Sequence, residues 1–422
     1  VDQLSRNLRW GALGALAMGG VAIGLTEFVA MGLLPEISRG LLPQAYSESP
    51  ADAVAQGGWT ITAYALGVVV GAPVIAAATA RVPRRRLVLG LLAVFVIGTV
   101  ASAVAPSFGL VLVARFVAAL PHGAYFGAAG LLAATLMGPG RQARGYAVVL
   151  SGLTAANIVG VPLITRLGQT AGWRVAYLVI AAVFLITLAA VRILVPEVAA
   201  TPGGSPAGEL RALRTPRVWL AAATATAGFA GFFAVYSYLA PVTTEVAGLS
   251  AGTVPWVLVA MGLGMAVGNA LGGWLADRDL RRATLAGFAA AIAAIVVFAL
   301  IADTTAGLFL GAFLAGGTSL FVGPALQARL IDVAPSAQLM GAAVSQSALN
   351  LANSLGAALG GLVIARGLGY LAPAWVGVAL VAVGLCLAAA GFAGERRGPT
   401  GTVNSNAQCI VDADDRGLPV TR

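Results

Sequence analysis

The chain has 422 residues, 59% hydrophobic and only 10% charged, with a mean hydropathy of +0.91. Soluble domains carry about 25% charge, so a water-soluble enzyme, a nucleic-acid-binding domain and a secreted disulfide scaffold all fit poorly. The net charge of +9 comes from 25 arginines without lysine, and the two cysteines, Cys386 and Cys409, lie in settings too unlike to suggest a disulfide or a metal site.

Taken in chain order, the apolar runs predict twelve helical spans, near 10–34, 56–79, 87–105, 108–136, 146–166, 174–195, 218–240, 253–276, 284–302, 306–331, 340–366 and 371–393. Each is long enough to cross a hydrocarbon layer of about 30 Å. With the N-terminus inside, 20 of the 25 arginines fall on the inner side, only Arg39, Arg166, Arg174 and Arg366 fall outside, and Arg115 lies within a span. The positive-inside rule then predicts a bacterial inner-membrane protein with both termini cytoplasmic. Arginines spread over every inner loop read as topological anchors, which removes the case for a nucleic-acid partner.

The Pro-, Gly- and Ala-rich stretch 197–217 reads as a cytoplasmic linker between two six-span bundles, 1–196 and 218–396, and residues 397–422 read as a disordered cytoplasmic tail. An offset of 197 residues superimposes Trp59 on Trp256, Gly67 on Gly264, Gly71 on Gly268, Arg81 on Arg278, Arg84 on Arg281 and Arg85 on Arg282. An offset of 196 pairs Ser151 with Ser347, Asn157 with Asn353 and Gly160 with Gly356. Matching Trp, Asn and three Arg is improbable by chance, so the halves are parallel repeats. The fold class expected is all-α, with two pseudo-symmetric six-helix bundles.

Repeats of this kind, together with the loop Gly273-Trp274-Leu275-Ala276-Asp277-Arg278-Asp279-Leu280-Arg281-Arg282, resemble the major facilitator superfamily. Its loop signature is G-x-L-x-D-R-x-G-R-R. The first half keeps Arg81, Arg84 and Arg85 but has Ala80 for the acid and Pro83 for the glycine, so the charge-relay role that the resemblance gives to Asp277 lacks a counterpart there. Three further stretches resemble the drug:proton antiporter group and its arabinose- or sugar-efflux and chloramphenicol-resistance branch. They are Thr26-Glu27-Phe28 through Pro35, Pro121-His122-Gly123-Ala124-Tyr125-Phe126-Gly127, and Ser151-Gly152-Leu153 through Asn157 to Gly160-Val161-Pro162. The last occupies the place of the fifth-helix antiporter motif, and Gly160 with Pro162 predicts a local bend. The resemblance also implies gating loops at Arg81–Arg85 and Asp277–Arg282.

Of sixteen acidic residues only Glu27 lies well inside a span. A charged side chain there costs about 2.5 to 3.5 kcal/mol on insertion scales and should face a cavity or a partner. Arg115 is the comparably placed cation, and both sit about 10 Å below the outer surface at roughly 1.5 Å per residue, so the two are expected to pair. In the functional reading Glu27 accepts the proton, held ionised by Arg115 and released when the helices shift; in the bland reading the pair is a static brace. His122, the one histidine, suits proton exchange by its ordinary titration range, yet a lone histidine in an apolar helix is more often a hydrogen-bonded packing residue. Tyr64, Tyr125, Asn157, Tyr236, Tyr238, Gln346, Asn350 and Asn353 are candidates for the cavity lining, each equally able to serve as interhelical glue.

No P-loop, dinucleotide fingerprint, catalytic acid–base pair or metal cluster is present in the sequence. The reading is therefore a transporter and not an enzyme. It is expected to work as a monomer in the bilayer, without cofactors, exporting a small neutral or amphiphilic molecule such as a phenicol against inward proton flow. An arabinose-like sugar exporter or uniporter is the alternative, and a non-transporting sensor on the same scaffold a distant one.

Overall fold

The computed structural model describes residues 5–79, 82–138, 142–197, 215–332 and 338–397. Most of the expected linker, the expected tail and Arg81 lie outside the described residues. Hydrocarbon offers the backbone no hydrogen-bond partners, so a membrane-crossing chain must satisfy its amides within each segment. Twelve helices among the described residues are long and apolar enough to cross. These are α1 (Arg6–Gly32), α2 (Pro50–Ile75), α3 (Arg84–Val104), α4 (Phe108–Met137), α5 (Arg144–Ala171) and α6 (Trp173–Leu194) in the first half. The second half has α7 (Pro216–Val246), α8 (Ala251–Ala276), α9 (Leu280–Ile301), α10 (Thr305–Leu326), α11 (Val344–Ala365) and α12 (Ala372–Ala393). Two short helices not foreseen in the sequence, Leu34–Leu41 and Pro43–Glu48, cap the passage from α1 to α2.

Six of the seven tryptophans are about half exposed. Trp10, Trp219 and Trp274 lie at the arginine-rich end of the bundle, and Trp59, Trp256 and Trp375 at the arginine-poor end. Two such rings, one apolar span apart, are what indoles do at membrane interfaces. Between them the exposed surface is Val, Leu and Ile.

Small residues bring the helices together at matching places in the two halves. A Cβ on Gly67 would collide with the Phe116 carbonyl, and one on Gly71 with that of Leu120. In the second half the same holds for Gly264 against Phe313 and Gly268 against Gly317. Both sets are related by 197 residues, so the register found in the sequence is also the packing register of α2 on α4 and of α8 on α10.

Helix α5 is not regular. Ala156–Gly160 forms a π turn, in which the Val161 amide reaches back five residues to the Ala156 carbonyl. Pro162 has no N–H to continue an α pattern, and a π turn is one way to absorb that loss. The bend expected from Gly160 and Pro162 thus takes the form of a surplus residue.

Candidate functional site

Arg115 is placed by the first segment of α4, Phe108–Ala119, which starts where the Ser107 hydroxyl accepts from the Leu110 amide at 3.4 Å. Its side chain is fully buried. Nη1 donates to the Thr26 carbonyl at 2.7 Å and to Thr26 Oγ1 at 3.2 Å, while Nε donates to the Thr60 carbonyl at 3.5 Å. The guanidinium lies 4.3 Å over the Tyr64 ring and 5.4 Å from the centre of the Tyr177 ring. One cation therefore ties α1, α2, α4 and α6 together, and Nη2 remains without a hydrogen-bond partner.

The expected direct pair with Glu27 does not form, since no ion pair within 4 Å joins the two residues. Carbonyls of α1 and α2 take the fork of donors instead, and Glu27 feels Arg115 only through its field. Glu27 itself is 5% exposed, and its carboxylate points across the interface between the halves, against Asn353 of α11. Both amide atoms of Asn353 are buried, and neither completes a hydrogen bond of good geometry. Next along α1, Phe28 stacks on Tyr236 of α7 with ring centres 5.5 Å apart and planes 22° from parallel. The Tyr236 hydroxyl in turn donates to Asn157 Oδ1 at 3.5 Å, on the π turn of α5. Glu27, Phe28, Asn157, Tyr236 and Asn353 thus form one cross-half layer.

His122 stands where α4 resumes after a break at Leu120–Pro121. Its Nδ1 is 3.2 Å from the Tyr64 hydroxyl, and its ring packs near Phe126. Tyr64 therefore bridges Arg115 on its face and His122 at its tip. This places Tyr64 inside the first bundle, so that of its two readings, cavity lining and interhelical glue, the structure favours glue. Tyr125 and Tyr238 fall the same way. Tyr125 donates to the Leu16 carbonyl at 2.8 Å and Tyr238 to the Ala357 carbonyl at 2.6 Å, both fully buried as glue between helices. Asn350 uses its Nδ2 on the Gln346 carbonyl at 3.1 Å and leaves Oδ1 unpartnered, and Gln346 is half-buried one turn away. Gly152 lies against the Ala17 carbonyl and Gly160 against Leu25, so both serve contact between α5 and α1.

At the arginine-poor end the halves touch. Gln169 Nε2 donates to the Ala251 carbonyl at 2.8 Å, Gly32 packs against Leu258, and Gly58 lies under the Tyr238 hydroxyl. Tyr370, in the link between α11 and α12, lies near Tyr46 and Asp52 of the first half; burial, helped by Glu245 and those neighbours, pushes its phenol up to about 12. This end is closed. At the other end Arg85 donates to the Arg192 carbonyl at 2.6 Å and pairs with Glu197 at 3.4 Å, Arg84 is half-buried at the start of α3, and Arg278 folds over Trp274 at 3.8 Å. Arg281 lies 5.9 Å from the Phe392 ring. Asp277 is exposed and makes no ion pair among the described residues. Asp279, which the sequence reading passed over, caps α9 by accepting from the Arg282 amide at 2.9 Å and pairs with its side chain at 3.1 Å.

Twelve spans in two like bundles, with the polar layer at their junction, define a membrane transporter scaffold. The Major Facilitator Superfamily model matches residues 16–255 and 239–408, and this chain belongs to that superfamily. It is 35% identical over 357 residues to the inner membrane transport protein YdhP of Escherichia coli, covering 84% of this chain and 89% of that one. It is 34% identical over 343 residues to a chloramphenicol resistance protein of Streptomyces lividans, covering 79% and 86%. Such relatives put it in the branch that holds drug- and sugar-efflux proteins. A solved bacterial homologue of the human lysosomal transporter Spinster, inward-facing and unoccupied, shares the fold with a TM-score of 0.72 over 92% of this chain and 98% of that one, at 16% identity. The chain is therefore a multi-pass inner-membrane transporter and not an enzyme.

Proposed function

We propose that this transporter exports a small neutral or amphiphilic molecule, with a phenicol as the model substrate, in exchange for protons by alternating access. The supporting observation is Glu27, a carboxylate deep in α1 that carries no ion pair and faces the junction of the two halves. An ionisable group held at that cost in a span is a proton site by default, and one such site gives about one proton per cycle. Arginine placement assigns the arginine-rich end to the cytoplasm, so the closed end is external and the state faces inward. His122, through Tyr64, is a second station for the proton, and Arg84, Arg85, Asp277, Arg281 and Arg282 border the cytoplasmic gate. The S. lividans relative's name favours a phenicol. A sugar exporter or uniporter is the second reading, favoured by the unpartnered amide atoms of Asn350 and Asn353, which suit hydroxyl groups.

The test is flux in proteoliposomes under an imposed pH gradient, with chloramphenicol, arabinose and a lipophilic cation as substrates. Wild-type protein should drive chloramphenicol against proton flow, and Glu27→Gln should lose at least ten-fold of that flux while keeping downhill exchange. Full gradient dependence in Glu27→Gln overturns the assignment. Transport of arabinose alone, indifferent to the gradient, selects the second reading.

A further inference from the structure

We infer that Asn353 of α11 is the residue through which the second bundle senses the protonation of Glu27, so that one cross-half amide ties the proton to closure of the external end. The inference rests on the reading of Glu27 as the proton site. Asn353 is 1% exposed, belongs to the opposite half from Glu27, and lies at the Glu27 carboxyl with both Nδ2 and Oδ1 buried and neither completing a hydrogen bond of good geometry. Orphaned buried amides cost free energy, so a group that they can serve in another state of the site is implied. Glu27, against which Asn353 lies, is that group. An amide suits both of its states. Nδ2 donates to an ionised carboxylate, and after a flip about the terminal torsion Oδ1 accepts from a protonated one.

The surroundings make the amide a sensor and not a bystander. One turn beyond Asn353, Gly356 is pressed on the backbone of α7 at Ala230 and Ala234, so the side chain cannot withdraw unless α11 moves with α7. That same α7 carries Tyr236, stacked on Phe28 beside Glu27. A change in how Glu27 and Asn353 meet therefore acts on the contact that keeps the halves together. The charged and titratable groups around Glu27 are Arg115 on α4, Tyr64 on α2 and Tyr236 on α7, and Asn353 is the neutral polar group facing it from α11. His122 reaches this set only through Tyr64.

The experiment needs no substrate. In full-length protein with both cysteines replaced, spin labels at Gln44→Cys and Leu368→Cys, exposed on opposite halves of the external end, report its closure in nanodiscs across a pH series. Wild-type protein should shift between closed and open populations with pH, and Glu27→Gln should be flat. Asn353→Leu should reduce the pH-dependent shift at least three-fold, and Asn353→Gln, which keeps donor and acceptor, should restore most of it. Should the leucine side chain disturb packing, Asn353→Ala removes the same groups and must give the same loss. If Asn353→Leu and Asn353→Ala keep the wild-type response while Glu27→Gln is flat, the sensing role of Asn353 is wrong and the proton site stands. If Glu27→Gln responds as wild type does, or wild type does not respond at all, the proton-site reading itself falls.

Discussion

Within the two halves the backbone repeats and the chemistry does not. The positions 197 residues beyond Thr60, Tyr64, Arg115 and Tyr177 are Val257, Met261, Ala312 and Ala374, all buried. Where the first bundle is braced by a guanidinium, two carbonyls and two aromatic faces, the second is closed by hydrocarbon. Beyond His122 by the same offset stands Ser319, beside a small void between α7, α9, α10 and α12, lined by Phe232, Phe288 and Val322. Both solutions hold the same helix arrangement. The polar network is thus not demanded by the fold, and it lies in the bundle that bears Glu27.

That contrast breaks most sharply if the two brace sites are exchanged. Arg115→Ala should remove a buried side chain with three hydrogen bonds and cost about 3 kcal/mol, seen as a lower unfolding midpoint in detergent. Ala312→Arg should yield no folded protein, because Val257 and Met261 offer a guanidinium nothing; a stable Ala312→Arg protein would mean that the halves are chemically interchangeable. Packing, in contrast, should respond alike in both. Gly71→Val and Gly268→Val each drive a side chain into a facing carbonyl and should each cost about 2 kcal/mol, and clearly unequal values would deny the shared register. Smaller still, Tyr125→Phe and Tyr238→Phe should each lose about 1 kcal/mol of stability and leave the substrate profile unchanged, as befits glue.

The smallest effect concerns a feature that the second half lacks, the helical cap between α1 and α2. Burial holds the Glu36 carboxyl above its usual range, opposed by its own backbone hydrogen bond and by Arg39. A raised acid favours the folded state while protonated, and that contribution is lost as pH rises through the folded value. Melting curves should show a slight gain in stability on acidification from neutral, and Glu36→Gln should flatten it. A steeper acid response in Glu36→Gln than in wild type would contradict the sign.

Spans, orientation signal and repeat were legible because each depends on composition along the chain. Hydropathy marked all twelve helices, and glycines at 67, 71, 264 and 268 gave the packing register before any contact was known. What lay beyond reach was the rotation of each helix about its axis. Glu27 and Arg115 sit at like depth, yet depth does not say that Arg115 meets the Thr26 carbonyl while Glu27 turns toward α11. For the same reason Tyr125 and Tyr238 could not be divided between cavity lining and interhelical glue until each was seen to end on a carbonyl of a neighbouring helix. Thr60 and Tyr177 had no charge to mark them, and Thr26 entered only as part of a motif, without a role. Asn157 and Asn353 were paired by the repeat, and that pairing was the one sequence signal that pointed at the cross-half layer.

The π turn of α5 has a consequence for the chain as a string of residues. Gly152, Ala156 and Gly160 meet α1 at intervals of four, and Thr165 meets Gly32 five residues further on. The surplus residue of the π turn resets which face of α5 reaches α1 beyond it. Deleting a single residue within 156–160 would restore an ordinary helix and turn everything beyond it by about 100°. Thr165 would leave Gly32, and Gln169 would swing away from Ala251. A one-codon deletion in the middle of α5 would then unlatch the contact of Gln169 with Ala251 some three turns away, with both residues still present.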